Sequence, residues 1–298
     1  MRQQGLLVPI LVAAGLMLAS MPAWPEDVVM TRSQTFRGRV VSVGAAGIRI
    51  QLTRGGEVTV PRTGVVKLTV EPPPSVVRGI AAYEKGDLRN ARLNLGKVMM
   101  QYLGLDTEWA AKGMVYFGRA SLRFGDYDKA GKAFNVFLQT YPEHPLSMAA
   151  SVGLVEIELA RKNYAVALAQ FQELARPYDK QLKPAKDQLP YAAEIYLGIG
   201  QCQEGLAHPA DALDGYLRVI GLYPVEPFYT EALYRGAGLL AASNQNAKAE
   251  GMLTELIKNY PASPFAAKAI EMRKKIRDHG PARNATHSVA GGAHGSAE

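Results

Sequence analysis

Two hydrophobic periods divide the chain. Between residues 30 and 71 apolar residues recur at every second position. From residue 75 onward they recur every three to four. The helical signal is clearest over residues 117–142, FGRASLRFGDYDKAGKAFNVFLQTYP. Gly118 lies in a first helix where a small residue allows close approach, and Gly125-Asp126-Tyr127 makes a turn. Ala130, Phe134 and Phe137 then share one face of a second helix, which Pro142 stops by disfavouring helix at Tyr141. One such hairpin cannot bury its own apolar face, so further copies should stack on it.

Five copies align on a small residue of the second helix: Ala91, Ala130, Ala167, Ala212 and Ala249, spaced 39, 37, 45 and 37 residues apart. A large residue follows four positions later: Leu95, Phe134, Phe171, Tyr216 and Leu253. Val98, Phe137, Leu174, Val219 and Leu256 come three positions after that. Pro142, Pro224 and Pro261 close three of the copies. Glycine lies twelve residues before the alanine in three copies, at positions 79, 118 and 200, with Val155 and Ala237 in the others. The small residue lets helices approach, and the large one fills the gap between neighbours. Residues 265–276 are expected to form a helix covering the last open face. Residues 176–190, RPYDKQLKPAKDQLP, hold three prolines and four Lys/Arg and are expected to form a loop between copies three and four.

The period-two segment predicts four short strands, at 36–43, 48–52, 58–60 and 65–70, separated by glycine turns. Four such strands spell a small antiparallel barrel or sandwich. The strand order and G-x-V pattern resemble an Sm-like or SH3-like barrel. Residues 71–74, EPPP, form a stiff spacer that ends it. The expected architecture is therefore mainly α: a solenoid of about five hairpins over 72–277, preceded by a small β-barrel over 27–71.

The five-fold pattern resembles the tetratricopeptide repeat, with units longer than the usual roughly 34 residues. The segments LQTYPEHPLSMAA (138–150) and IKNYPASPFAAKA (257–269) are similar to the repeats of bacterial envelope proteins. Two such families are the periplasmic accessory protein of the Tol–Pal system and the lipoprotein of the outer-membrane β-barrel assembly machinery. The resemblance covers about residues 108–277, and this chain lacks the coiled coil of the first and the lipidated cysteine of the second. It implies a binding groove lined by first-helix positions. Carried over residue by residue these are Tyr83; Lys112, Arg119 and Arg123; Glu156; Glu194, Gln201 and Glu204; and Tyr234. Lys112, Arg119 and Arg123 share one helix face and could grip an acidic peptide or a chain terminus. The competing reading is a solvated inner wall.

The N-terminus points the same way as the envelope resemblance. Arg2 precedes an apolar run over residues 6–18, with Pro22 and Ala23 after it, the pattern of a secretory signal over 1–23. Cleavage is expected after Ala23, although Met21 is bulky for the position two residues earlier. The alternative is an uncleaved membrane anchor, since no charge interrupts the stretch between Arg2 and Glu26. Either way the body of the protein is expected outside the cytoplasm, in the periplasm or cell envelope.

Charge and composition narrow the classes of function. The net charge of +7 is concentrated early: residues 27–71 carry seven Arg/Lys against three acids, while residues 72–277 carry 25 against 21. Arg37, Arg39 and Arg49 alternate with apolar residues and should form a basic solvent face. This face could meet lipid head groups or nucleic acid, or simply keep strand edges from aggregating. Nucleic acid is disfavoured, because Phe36 is the only aromatic residue in the segment. No catalytic, metal or cofactor motif stands out. Cys202 is the only cysteine, which excludes an internal disulfide; it reads as a packed core residue. The tail, 278–298, is rich in Gly, Ala, Ser and His and is expected to be disordered, with His279, His287 and His294 too dispersed for a strong metal site. The sequence thus describes a non-enzymatic scaffold that binds another envelope protein or peptide, with self-association and an anionic surface as further contacts.

Overall fold

The computed structural model describes residues 26–279 except 97, 100, 103 and 180–184. The expected signal, residues 1–23, and the tail beyond residue 279 lie outside the described residues. The chain divides between Glu71 and Pro72 into two compact units.

The first unit is one antiparallel sheet of five strands: β1 (Asp27–Thr31), β2 (Thr35–Gly44), β3 (Gly47–Leu52), β4 (Glu57–Val60) and β5 (Val65–Thr69). Their order is β4-β3-β2-β1-β5. Two expectations are corrected here. There are five strands rather than four, because β1, next to the signal-like segment, inserts between β2 and β5. The sheet is also open rather than a closed barrel, since β4 pairs only with β3 and β5 only with β1. Glu57 and Lys67 place charges on the two short edge strands, a common guard against further pairing.

Val29, Val40, Ile48, Ile50 and Val60 are buried on one face of the sheet. Gly38 allows β2 and β3 to close up: a Cβ there would lie 2.0 Å from the Gln51 carbonyl oxygen. Asp27 is buried on this face and ties the unit together. Its carboxylate accepts the Val40 N–H at 2.7 Å and the Glu71 N–H at 3.2 Å. Burial raises its pKa, and these two bonds and Arg39 oppose the rise.

The second unit comprises five helical hairpins: α1 (Pro74–Glu84) with α2 (Leu88–Gly96), α3 (Glu108–Arg123) with α4 (Tyr127–Thr140), α5 (Ser147–Ala160) with α6 (Tyr164–Asp179), α7 (Leu189–Gly205) with α8 (Pro209–Leu222), and α9 (Phe228–Ala242) with α10 (Asn246–Asn259). A final helix, α11 (Ala266–His279), packs on α10 and α9. Each first helix packs on the first helix of the next hairpin, so α1, α3, α5, α7 and α9 form one continuous inner layer.

The repeat signature is the core. The five alanines and the five large residues four positions on are all fully buried. Where a helix meets such a ring there is no room for a side chain. A Cβ at Gly118 would lie 2.5 Å from Phe134, and one at Gly153 of the next hairpin 2.4 Å from the same ring. Phe134 is thus gripped by two hairpins at once, which couples their packing.

The five turns between paired helices are also alike. Gly86, Gly125, Lys162, Ala207 and Asn244 all have positive φ, between 59° and 77°. Each lies five residues before its repeat alanine. The following N–H returns to the helix in every copy, as from Asp126 to the Ser121 carbonyl and from Asn163 to the Glu158 carbonyl. Glycine fills this position in two copies only, so the turn's sequence signal is hidden in the other three. Tyr141, Tyr223 and Tyr260, each before a proline, end their helices with φ from −133° to −130° and ψ from 54° to 58°.

Both ends of the expected loop over 176–190 are helical, and its residues 180–184 lie outside the described residues. The last helix of hairpin three continues to Asp179 with Pro177 inside it, and α7 begins at Leu189. Pro177 lies in the final turn, where it forfeits one backbone bond, and burial of Ala175 and Tyr178 on either side of it keeps the helix running.

Candidate functional site

The inner layer carries the residues expected to line a groove, and most of them are engaged in side-chain pairs. At one end Tyr83 of α1 stacks on Tyr116 of α3, with ring centroids 4.2 Å apart. Lys112 donates to Glu84 at 2.7 Å and lies 5.4 Å from the centre of the Tyr116 ring. At the other end Tyr234 leans on Phe265, with centroids 5.4 Å apart.

The middle is organised by one ion pair that spans a whole hairpin. Arg119 of α3 reaches over α5 to Glu194 of α7 and donates two hydrogen bonds, 2.8 and 2.9 Å long. A further bond goes to the Ala149 carbonyl, 3.4 Å away on the intervening helix. Lys112, Ala149, Glu194 and Glu231 share one repeat position, being 37, 45 and 37 residues apart. A small side chain at that position in hairpin three leaves the guanidinium its path. Glu194 is 5 % exposed, so the pair is effectively internal. Burial disfavours the charge on Arg119, but Glu194 outweighs it and holds the guanidinium above its ordinary pKa.

A second network runs from α7 to α9. Gln201 donates to Glu231 at 2.7 Å, and Arg235 donates to Glu231 at 2.8 Å and to Glu204 at 3.2 Å. Glu204 also accepts the Tyr216 hydroxyl at 2.6 Å. Between the two networks lies Glu156 of α5. Arg123 is its nearest cation, at 3.9 Å, and its carboxylate accepts no hydrogen bond among the described residues. Burial and the Glu194 charge raise its pKa to about 7, against the pull of Arg119 and Arg123.

These groups border a cleft of about 390 Å³ between α3, α5, α7 and α9. Leu122, Leu159, Phe171, Leu197 and Phe228 give it apolar walls, while Glu156, Glu194, Glu231, Arg123, Gln201 and Arg235 supply its polar groups. All three cations expected to grip an acidic ligand, Lys112, Arg119 and Arg123, have a carboxylate partner. Sequence reasoning missed Tyr116, Glu231 and Arg235. Glu231 was within reach, since it repeats the Glu194 position, and Arg235 follows it by one helical turn. Cys202 is fully buried in the core, and burial pushes its thiol up to about 12, which makes it unreactive.

On the sheet, Arg37, Arg39, Arg49 and Lys67 are exposed, and the strand register puts them on one face. None of the four has a salt-bridge partner among the described residues.

Comparison with known proteins places the repeats. The family model described as tetratricopeptide repeat matches residues 112–144 and 231–263, the second and fifth hairpins. No curated protein matches the chain. Among solved structures, it is similar to TTC0263, a thermophilic tetratricopeptide protein of Thermus thermophilus. The identity is 13%, the TM-score 0.49, and 69% of this chain and 96% of that one are covered. It is also similar to MamA 41-end from Desulfovibrio magneticus RS-1, with 16% identity, a TM-score of 0.42, and 68% and 94% covered. For MamA of AMB-1 the values are 14%, 0.38, 68% and 96%. The repeat assignment rests on the two matched hairpins together with the five-fold recurrence of the buried alanine, the large residue and the turn.

Proposed function

We propose that this protein is a non-enzymatic scaffold whose repeat groove seats a segment of a partner protein. The observation that carries the reading is the cleft between α3, α5, α7 and α9. It combines apolar walls with polar groups fixed by inter-hairpin bonds, which suits recognition of a peptide with a defined side-chain pattern. The signal-like pattern of residues 1–23 and the YP endings at Tyr141 and Tyr260 support an envelope location and an envelope partner.

Site-specific photo-cross-linking in cells tests it. A photoreactive residue in place of Arg123, at the cleft, should capture one discrete protein. The same residue in place of Leu217, exposed on α8 of the outer layer, should not. Capture from both positions, or from neither, would reject the groove reading.

A second reading rests on the sheet: the four cations on one face, which have no salt-bridge partner among the described residues, would meet an anionic membrane surface. Replacing Arg37, Arg39 and Arg49 with Gln should then abolish co-sedimentation with vesicles containing anionic lipid. Equal sedimentation of the variant and the parent rules this reading out.

A further inference from the structure

We propose that the cleft recognises a lysine or arginine side chain of the partner segment, and that Glu156 is the residue that receives it. The proposal rests on the groove reading above and reverses the charge that the cations of α3 alone suggest. Its basis is the uneven pairing of the three carboxylates that line the cleft. Glu194 is saturated by the two-point bond from Arg119. Glu231 accepts from both Gln201 and Arg235. Glu156 has neither kind of partner: the cation within ion-pair reach, Arg123, stands at 3.9 Å on a side chain that is 61 % exposed, and Arg119, which also pulls on it, gives its hydrogen bonds to Glu194 and Ala149. A carboxylate that is only 18 % exposed and accepts no hydrogen bond among the described residues is costly to keep ionised. An incoming cation would provide the missing bonds.

The surroundings suit such a guest. Leu159 and Phe228, both partly exposed at the cleft, offer apolar contact to a long aliphatic stem whose charged head reaches Glu156. The guest would displace Arg123, which can swing to solvent at little cost because its side chain is already mostly exposed. An acidic guest would fare worse. It would meet Glu156, Glu194 and Glu231 in the same cleft, and the one cation there with loose attachment is Arg123 itself.

Charged and titratable groups face Glu156 from four helices: Tyr83 of α1, Arg119 and Arg123 of α3, Glu194 of α7, and Glu231 with Arg235 of α9. Burial and the neighbouring Glu194 charge move Glu156 toward neutrality, so Glu156 carries the pH dependence of binding. Its pKa of about 7 means that a bound cation must hold it ionised. Affinity for a basic guest should therefore rise about tenfold between pH 6 and pH 8.

The test is selection of a random-peptide display library on the full chain, followed by measurement of the enriched peptides as synthetic ligands. Enrichment of Lys or Arg at one fixed position among apolar neighbours is expected. Glu156→Gln should weaken those peptides about tenfold or more and flatten their pH profile. Arg123→Ala should leave their affinity equal or higher, because it removes a competitor. The melting temperature of each variant serves as the check on folding. Enrichment of acidic peptides that Arg123→Ala weakens would overturn the proposal while leaving the groove reading intact, as would basic peptides indifferent to Glu156→Gln. If no peptide is enriched, or if those enriched bind without competing at the cleft, the groove reading falls and this inference falls with it.

Discussion

At the scale of single residues, the inner wall shows how burial sorts chemically equal side chains. Glu156 and Glu158 are two positions apart on one helix, yet their surroundings differ. Glu158 faces away from the cleft, within reach of Arg161 at 3.6 Å and accepting from Asn163 at 2.7 Å. Glu156 faces the cleft with its pKa raised to about 7 from an ordinary 4.5. Between those values the folded protein holds the proton more tightly than the unfolded chain does. Stability should therefore fall as pH rises from about 4.5 to 7 and level off above that. Glu156→Gln should remove this slope and stabilise the protein at pH 8 by about 1–3 kcal/mol, measured by urea unfolding across the pH range. A variant as pH-sensitive as the parent would place the titration elsewhere.

At the scale of elements, hairpins are joined by rings that press on bare backbone. Phe134 touches Gly118 of its own hairpin and Gly153 of the next. The ring is fully buried, so it cannot move aside into solvent. Gly153→Ala should cost about 1–3 kcal/mol through overpacking. In a Phe134→Leu background the same substitution should cost much less, and a thermal double-mutant cycle reads the difference. Additive effects would mean that the ring and the helix do not meet as described. The sequence made the Gly118 side of this contact legible, because glycine recurs sixteen residues before the large residue in three of the five copies, whereas Gly153 carried no such signal. The sequence left the turns only partly legible. Gly86 and Gly125 advertise a left-handed position, whereas Lys162, Ala207 and Asn244 adopt it without glycine. The hydrogen bonds that close each turn outweigh the local strain there.

At the scale of the whole solenoid, Arg119 and Glu194 tie the second hairpin to the fourth. Removing one member leaves the other buried and unpaired. Arg119→Gln is therefore expected to destabilise the chain by about 3–5 kcal/mol, and Glu194→Gln by a comparable amount. The Arg119→Met/Glu194→Leu double variant should recover most of that loss, because apolar groups of similar size need no partner. Chemical denaturation of the three variants checks this, and a double variant as unstable as either single one would contradict it. The same bond shows what the charge pattern along one helix leaves out. Lys112, Arg119 and Arg123 look like a free basic stripe on α3, and their carboxylate partners come from α1, α7 and α5.

What the sequence by itself determined is whatever depends on spacing along the chain. The helical period, the five-fold recurrence, the buried alanines and aromatics, and the alternation that exposes Arg37, Arg39 and Arg49 all follow from which residue sits three, four or two positions from which. Tertiary structure decided what depends on neighbours far apart in sequence. Whether the sheet closes turns on β1 inserting between β2 and β5, which no local pattern encodes. Which carboxylate in the cleft is satisfied turns on the stacking of hairpins, since it is the stacking that carries Arg119 over Ala149 to Glu194 and leaves Glu156 with a distant, solvent-exposed partner. Local periodicity fixes which face a side chain occupies. Only the packed superhelix fixes which charge from another repeat it will meet there, and that is what sets the chemistry of the groove.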